Sequence, residues 1–600
     1  MRHSICLLPV LFILSCAGGC TSAPEEPFEF ILDFVHNNPG EPPFETKYND
    51  PEYLKSQGFN GAVTFSHINC AITYDNFDPG LVPEGSDERA WIEAKARALD
   101  LQFDSFEQAG IPVYPFTDFL VFPKSVWEKY GDSIAGAGKI EGDGGAGSAE
   151  RVRKPDIRNP LTQALLRAQI DGIFTRFPSV DGITLRFGET YLHDTPYHMG
   201  GSPISQENMV EDHVFLINIL RDEICVKRGK KLFYRTWDFG YNFHNDPQKY
   251  LAITDRVEPH SNLIFSIKYQ QDDYHRMTPF NPCIGIGKHR QIVESQSSME
   301  AYGKGAHPYY TGKGVIEGWP ETVNEIEFGR HCFTGRPNDP SNPRGLRDVA
   351  DGGVLSGVVT WARGGGWRGP YIKDEIWSDL NNYVVSHWAQ DPSRDEEELF
   401  FDFTDSRGFD KKNAALFRGI ALLSIEAVRK GHCNSFVAQD VWWTRDEYFS
   451  AARNIPAVDE IISRGLEKDV LDEKAESCVM WKRIEQLSRE FECDDVRLLD
   501  AVRTSCTYGR IKYQLIEQMW RLMIIDGRAR AGQPVDREEI RDVVSRYDGL
   551  WAEWRHLYDT HPLCATLYTD KCWGGEVAGS IGELFCKWRC GGCREGETLQ

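Results

Sequence analysis

The stretch Val180–Tyr191, VDGITLRFGETY, decides how this chain is read. It is a short apolar strand that breaks abruptly at Gly188-Glu189-Thr190. An acidic residue just past the C-terminal end of a buried parallel strand is where a (β/α)8 barrel keeps its reacting groups. Glu189 is therefore the candidate general acid, provided the rest of the chain builds a barrel around it.

Moving outward, the residues on either side alternate between strand and helix patterns. Upstream, strands are predicted at Glu29–Phe34, Gly61–Ser66 and Ile111–Phe116. Helices are predicted at Pro51–Gln57, at Asp87–Gln108 with Ala109-Gly110 as its stop, and at Pro160–Phe174. Gly131–Gly147 is Gly-rich and reads as a surface loop. Downstream, helical patterns at Gln206–Lys227 and Pro247–Ile253 separate strands at Lys231–Thr236, Leu263–Lys268, Gln291–Ser297 and Leu355–Trp361. Eight strands separated mostly by helices predict an α/β fold, a (β/α)8 TIM barrel. No Gly-rich phosphate loop opens a helix after the first strand, which counts against an open nucleotide-binding sheet. From Tyr371 the pattern turns helical, with segments at Tyr371–Trp388, Lys411–Lys430, Ala475–Glu490, Arg510–Arg530 and Arg537–Tyr558. The expected organisation is a barrel over 28–385 and an all-helical C-terminal domain over 386–600 with a Cys-rich end.

Composition narrows the partners. The 600 residues carry a formal net charge of -23, from 67 basic and 90 acidic residues, which argues against nucleic acid. Aromatic residues make up 12%, consistent with stacking surfaces of the kind carbohydrate binders use. The first twenty residues, MRHSICLLPVLFILSCAGGC, place a basic start and a short apolar run before small residues and cysteine. This reads as a lipoprotein signal peptide over 1–20, with Cys16 (or Cys20) lipidated and the mature protein exported and membrane-anchored. In an exported chain the 16 cysteines, nine of them from Cys433 onward, favour disulfides over a zinc site at FCKWRCGGC. His193, His275 and His289 lack metal-ligand spacing, so neither metal nor cofactor is expected.

A barrel would gather the residues just past each strand at one mouth. These are Asn37 and Asn38, His67 and Asn69, Asp118, Glu189, Arg235 and Trp237, Lys268 with Asp272 and Asp273, Glu300, and Trp361, Arg363 and Trp367. Carboxylates flanked by tryptophans suit glycoside hydrolysis, in which one carboxyl protonates the leaving oxygen and another activates water or attacks. The cations Arg235 and Lys268 suit a substrate carboxylate. They could also pair with strand-end acids, and the tryptophans could serve as walls.

Three segments resemble the α-glucuronidases of glycoside hydrolase family 67. These are Asp181–Glu189 (DGITLRFGE), the run from Ile267-Lys268 through Asp273-Tyr274 to Pro279, Pro282 and Gly285, and Glu294–Gly303 (ESQSSMEAYG). The likeness covers about Asp181 to Trp388. Gln270-Gln271-Asp272 departs from the family's Gly/Pro/Met stretch. The resemblance implies an inverting hydrolase with Glu189 as acid and Asp273 and Glu300 sharing the base role, Asp272 being the alternative to Asp273. It also implies that Arg235 and Lys268 grip a uronate carboxylate. The expected function is an exo-acting enzyme releasing a uronic acid or related sugar from oligo- or polysaccharide, with Trp237 and Trp367 among the substrate-binding residues. A barrel glycosidase for a neutral or sulfated sugar, and a non-catalytic glycan-binding lipoprotein, are the alternatives.

Overall fold

The computed structural model describes residues 26–37, 45–135, 154–187, 190, 192, 194–237, 243–271, 274, 276, 278, 280–297, 305–319, 345–364, 370–437, 439, 450–567 and 578–589. Ten strands follow in chain order: β1 (Phe30–His36), β2 (Gly61–Thr64), β3 (Phe116–Asp118), β4 (Val121–Pro123), β5 (Gly182–Arg186), β6 (His198–Gly200), β7 (Lys231–Arg235), β8 (Leu263–Lys268), β9 (Arg290–Gln296) and β10 (Leu355–Gly364). β4 and β6 pair antiparallel on their own. The other eight form one parallel sheet ordered β2-β1-β10-β9-β8-β7-β5-β3. Its two ends meet through isolated parallel bridges, Ala62 to Val113 and Phe65 to Phe116, so the sheet closes into the expected barrel.

The third strand differs from its expectation. Ile111–Phe116 carries Pro112 and Pro115, which have no N–H to give a ladder. Their carbonyls still accept, from Ala62 and Thr184, but regular pairing begins only at Phe116.

Alternation along each strand separates two cores. Ile31, Ile183, Leu185, Leu232, Tyr234, Phe265, Ile267, Val293 and Val358 face outward into the large cluster shared with the helices. Phe30, Leu32, Phe34, Val63, Tyr114, Phe116, Phe233, Ile264, Ile292, Val359 and Trp361 fill the barrel itself. Gly182 opens β5 because a Cβ there would stand 2.2 Å from the Lys231 carbonyl of β7.

The first seven helices are α1 (Pro51–Ser56), α2 (Asp87–Ala109), α3 (Lys124–Ile134), α4 (Pro160–Arg176), α5 (Met209–Leu220), α6 (Pro247–Thr254) and α7 (Gly312–Glu317). Three begin with the same chemistry: Asp50, Asn159 and Asp246 cap a helix whose first residue is proline. The side-chain oxygen accepts a backbone N–H, and the proline has none to leave unsatisfied. α3 ends at Ile134 and so takes up the start of the Gly-rich segment expected as loop; residues 136–147 lie outside the described residues. The helix expected to run to Lys227 changes at Arg221–Val226 into a π-helical turn.

Beyond the barrel the described chain is helical: α8 (Ile376–Gln390), α9 (Glu396–Ser406), α10 (Lys411–His432), α11 (Ile455–Arg464), α12 (Glu467–Glu490), α13 (Val496–Arg530) and α14 (Arg537–Thr560). α13, 35 residues long, packs against α10, α12 and α14, with Trp481, Trp520 and Trp554 fully buried among them. α8 ties this region to the barrel. The Asn381 amide donates to the carbonyls of Ser297 and Tyr309, and its oxygen accepts from Thr311 and Gly312. Among the described residues no helix is long and apolar enough to cross a membrane. The disulfide expectation is not met there. Cys70, Cys225, Cys433, Cys478, Cys493, Cys506, Cys564 and Cys586 are thiols, most of them buried inside helical or barrel packing with no second sulfur to bridge.

Candidate active site

On seven of the eight barrel strands the inward register ends on a polar side chain. Above the apolar layers come His36 on β1, Asp118 on β3, Arg186 on β5, Arg235 on β7, Lys268 on β8, Glu294 on β9 and Arg363 on β10, all buried. This is the C-terminal mouth of the barrel, where loops of different strands meet.

Two bidentate ion pairs cross it. Arg186 donates to Asp118 at 2.8 and 2.7 Å. Arg235 donates to Glu294 at 2.6 and 2.7 Å, reaching over β8. Glu294 also accepts from the Ser266 hydroxyl at 2.7 Å and the Tyr274 hydroxyl at 3.2 Å. Phe116 lies between the guanidiniums, its ring centroid 5.2 Å from Arg186 and 4.9 Å from Arg235. The Lys268 ammonium stands 3.7 Å from the Trp237 ring centroid and 4.8 Å from that of Tyr274, a cation–π arrangement. His244 fixes the backbone beneath Trp237. Its Nε2 lies 3.2 Å from the Gln270 carbonyl and its Nδ1 2.9 Å from the Thr236 hydroxyl, so the loops after β7 and β8 are pinned together.

The electrostatics follow from these partners. Burial would push Glu294 up, but Arg235, Ser266 and Lys268 outweigh it and hold the carboxyl below its ordinary value. Asp118 accepts from one guanidinium, and there burial wins and raises it. Burial, followed by the fields of Arg186, Arg235 and Lys268, holds the His36 imidazole well below its ordinary value. Arg186, Arg235 and Lys268 stand on three adjacent strands, β5, β7 and β8.

Of the sequence-derived candidates, Arg235, Lys268 and Trp237 come together here, with Trp361 and Arg363 beside them. Arg235 is not an open cation: Glu294 occupies its guanidinium, so contact with a substrate carboxylate requires Glu294 to share or yield it. Glu189, Asp272, Asp273, Glu300, Trp367, Cys16 and Cys20 lie outside the described residues. Sequence reasoning passed over His36, Arg186 and Glu294. Their signal was parity, since each lies on the inward register of its strand.

Arg363, held by Glu375 at 2.7 Å, also lines a cleft of about 690 Å³ beside the mouth. Lys47, Lys373 and Glu375 bound it on the barrel side, and Arg497 and Thr566 on the helical side. Its size is that of a small-molecule site.

No family model matches the chain, and no curated protein matches it by sequence. Solved structures do. An enzyme of glycoside hydrolase family 138 targeting pectin rhamnogalacturonan II superposes with a TM-score of 0.55 at 11% identity, over 95% of this chain and 67% of that one. A Thermobaculum terrenum O-GlcNAc hydrolase superposes with a TM-score of 0.39 at 8% identity, over 94% of each chain. The first likeness is one of fold; the second falls below the level at which a common fold follows.

Proposed function

We propose that this protein is an exported glycoside hydrolase that removes an α-linked uronic acid, or a related acidic sugar, from the end of a saccharide chain with inversion at the anomeric carbon. The observation that carries this reading is the convergence of Arg186, Arg235 and Lys268, with Trp237 and Trp361, on the C-terminal mouth of a (β/α)8 barrel. Such a mouth attracts a carboxylate and stacks a sugar ring. A fold neighbour that acts on pectin adds support.

In this scheme Glu189 protonates the glycosidic oxygen, and Asp273 with Glu300 deprotonates the attacking water; Asp272 is the alternative to Asp273. Lys268 meets the uronate carboxylate, and Trp237 and Trp367 wall the ring. Arg235 and Glu294 form a neutral fixed pair, which leaves the Lys268 ammonium as the cation that faces the substrate. The barrel over 28–385 carries the chemistry, and the helical domain over 386–600 closes the cleft where the remaining chain leaves. Lipid on Cys16 or Cys20 anchors the protein in the cell envelope.

The test is Glu189→Gln, assayed for sugar release from oligosaccharides ending in glucuronic or galacturonic acid. Turnover should fall by ~10²–10⁴-fold with an unchanged melting temperature. Wild-type turnover by this variant would refute the acid assignment. Proton NMR of the first-formed product should show the inverted anomer, and retention would refute the water-activation scheme.

A further inference from the structure

The described ends of β1 and β2 carry no cation of their own, although Arg186 stands 5.8 Å from the Phe65 ring centroid. Across the barrel from Lys268, the ends of β1 and β2 and the β4–β6 pair bring together His36, His67 and His198, all buried. Aromatic rings join them to the mouth. Trp361 stacks on His36 at 5.2 Å, His36 meets Phe65 at 4.7 Å, and Phe65 meets His67 at 4.9 Å. Trp91 packs on His198 at 5.4 Å.

Buried polar atoms without partners are concentrated here. His36 Nδ1, Ser66 Oγ, His67 Nε2, Asn69 Nδ2 and both ring nitrogens of His198 have no hydrogen-bond partner. The Thr117 hydroxyl fixes Asn69 by donating to its oxygen, which turns the amide nitrogen away unpartnered. His67 holds a left-handed backbone with φ 45°, a conformation a non-glycine side chain adopts at a cost and keeps where its surroundings dictate it. Buried donors and acceptors in such density are met either by ordered water or by the polar groups of a ligand.

We propose that His36, His67 and His198 form a subsite for the hydroxyl groups of an uncharged sugar ring, placed across the mouth from the cationic side. The inference rests on the saccharide reading of the mouth given above. Burial holds His36 and His67 well below the ordinary imidazole value and His198 down at about 3, and Lys95 and Arg186 act in the same direction. A neutral imidazole offers one donor and one acceptor, as a hydroxyl does. A carboxylate offers acceptors alone and would leave the acceptor nitrogens unmet. Phe65, only half-buried, gives the C–H face of a ring something to lie against. The substrate class is therefore a mixed saccharide in which an acidic unit is followed or flanked by a neutral one.

The experiment uses the full chain labelled with ¹⁵N in its histidine rings. It is titrated separately with methyl glycosides of galactose, mannose, rhamnose and xylose, and with glucuronate and galacturonate. At least one neutral glycoside should shift the ring signals of His67 and His198. His67→Asn, which tolerates the left-handed backbone, and His198→Phe, which keeps the ring volume, should each weaken that binding at least tenfold. Uronate binding should change less than threefold, with thermal melts confirming that both variants fold. Neutral binding unchanged in both variants would overturn the subsite. Uronate binding with no neutral binding would also overturn it while leaving the saccharide mouth standing. Failure of every sugar to bind would remove both.

Discussion

Asp118 and Glu294 both lie on the inward register of one barrel, each gripped at two points by an arginine, yet they are held in opposite directions. Glu294 collects four hydrogen bonds from Arg235, Ser266 and Tyr274 and has Lys268 nearby, and it stays firmly anionic. Asp118 has Arg186 and little else, and its carboxyl is raised. Burial raises both, and the larger set of donors and cations around Glu294 is what reverses the direction there. Asp33 extends the series. It points outward from β1, accepts from the Thr360 hydroxyl and the Ala362 amide, has no cation, and is pushed up to about 8. A carboxyl's place in the barrel thus predicts its charge less well than the company it keeps.

The comparison breaks most visibly at Glu294. Glu294→Ala takes both carboxylate bonds from a buried guanidinium and should cost about 3–5 kcal/mol in urea denaturation. A loss below about 1 kcal/mol would mean that Arg235 finds another partner and that the pair does not organise the mouth. Asp118→Asn keeps one acceptor and discards a charge already poorly supported, so its cost should be smaller, about 2 kcal/mol. An equal or larger cost would erase the distinction between the two pairs.

Asp33→Asn sharpens the other end of the series. The folded-state value of Asp33 is raised above 3.8, so the native protein keeps a proton that the unfolded chain releases. The stability this carboxyl contributes is intact below about pH 4 and is lost as pH rises through about 8. Asparagine keeps the accepting oxygen and does not ionise. Melting curves should therefore show Asp33→Asn gaining on the parent between pH 5 and pH 8 by at least about 1 kcal/mol, since one pKa unit corresponds to about 1.4 kcal/mol. A pH-independent difference would mean that Asp33 is ionised in the fold.

The barrel was legible because parallel strands buried on both faces leave near-continuous apolar runs, and seven of the eight fall close to where Val180–Phe187 and its counterparts place them. Ile111–Phe116 misled because hydrophobicity ignores the missing amides of its prolines. α3 was hidden because Gly131 reads as loop although it is buried in a helix that Val126, Trp127 and Ile134 pin down. At the site, the strand-end positions of Arg235, Lys268 and Trp237 stand together, with the Lys268 ammonium 3.7 Å from the Trp237 ring centroid. Strand-end position could not show that Glu294 already holds Arg235, because that contact joins β7 to β9 across an intervening strand. Nor could it bring in His198, whose neighbour at the mouth, His67, lies 131 positions away, a separation that no local pattern encodes.

The prolines that shorten the third strand have one more effect. Between β2 and β3 the wall is held by two isolated bridges, with 2.9 Å bonds from Ala62 to the Pro112 carbonyl and from Tyr114 to the Ala62 carbonyl and a 3.4 Å bond from Ser66 to the Phe116 carbonyl. Backbone pairing is sparse along this line, and local stability follows the density of paired backbone. A barrel is usually thought of as a uniform wall. This one is closed beside His67 by bridges where its other seams have ladders.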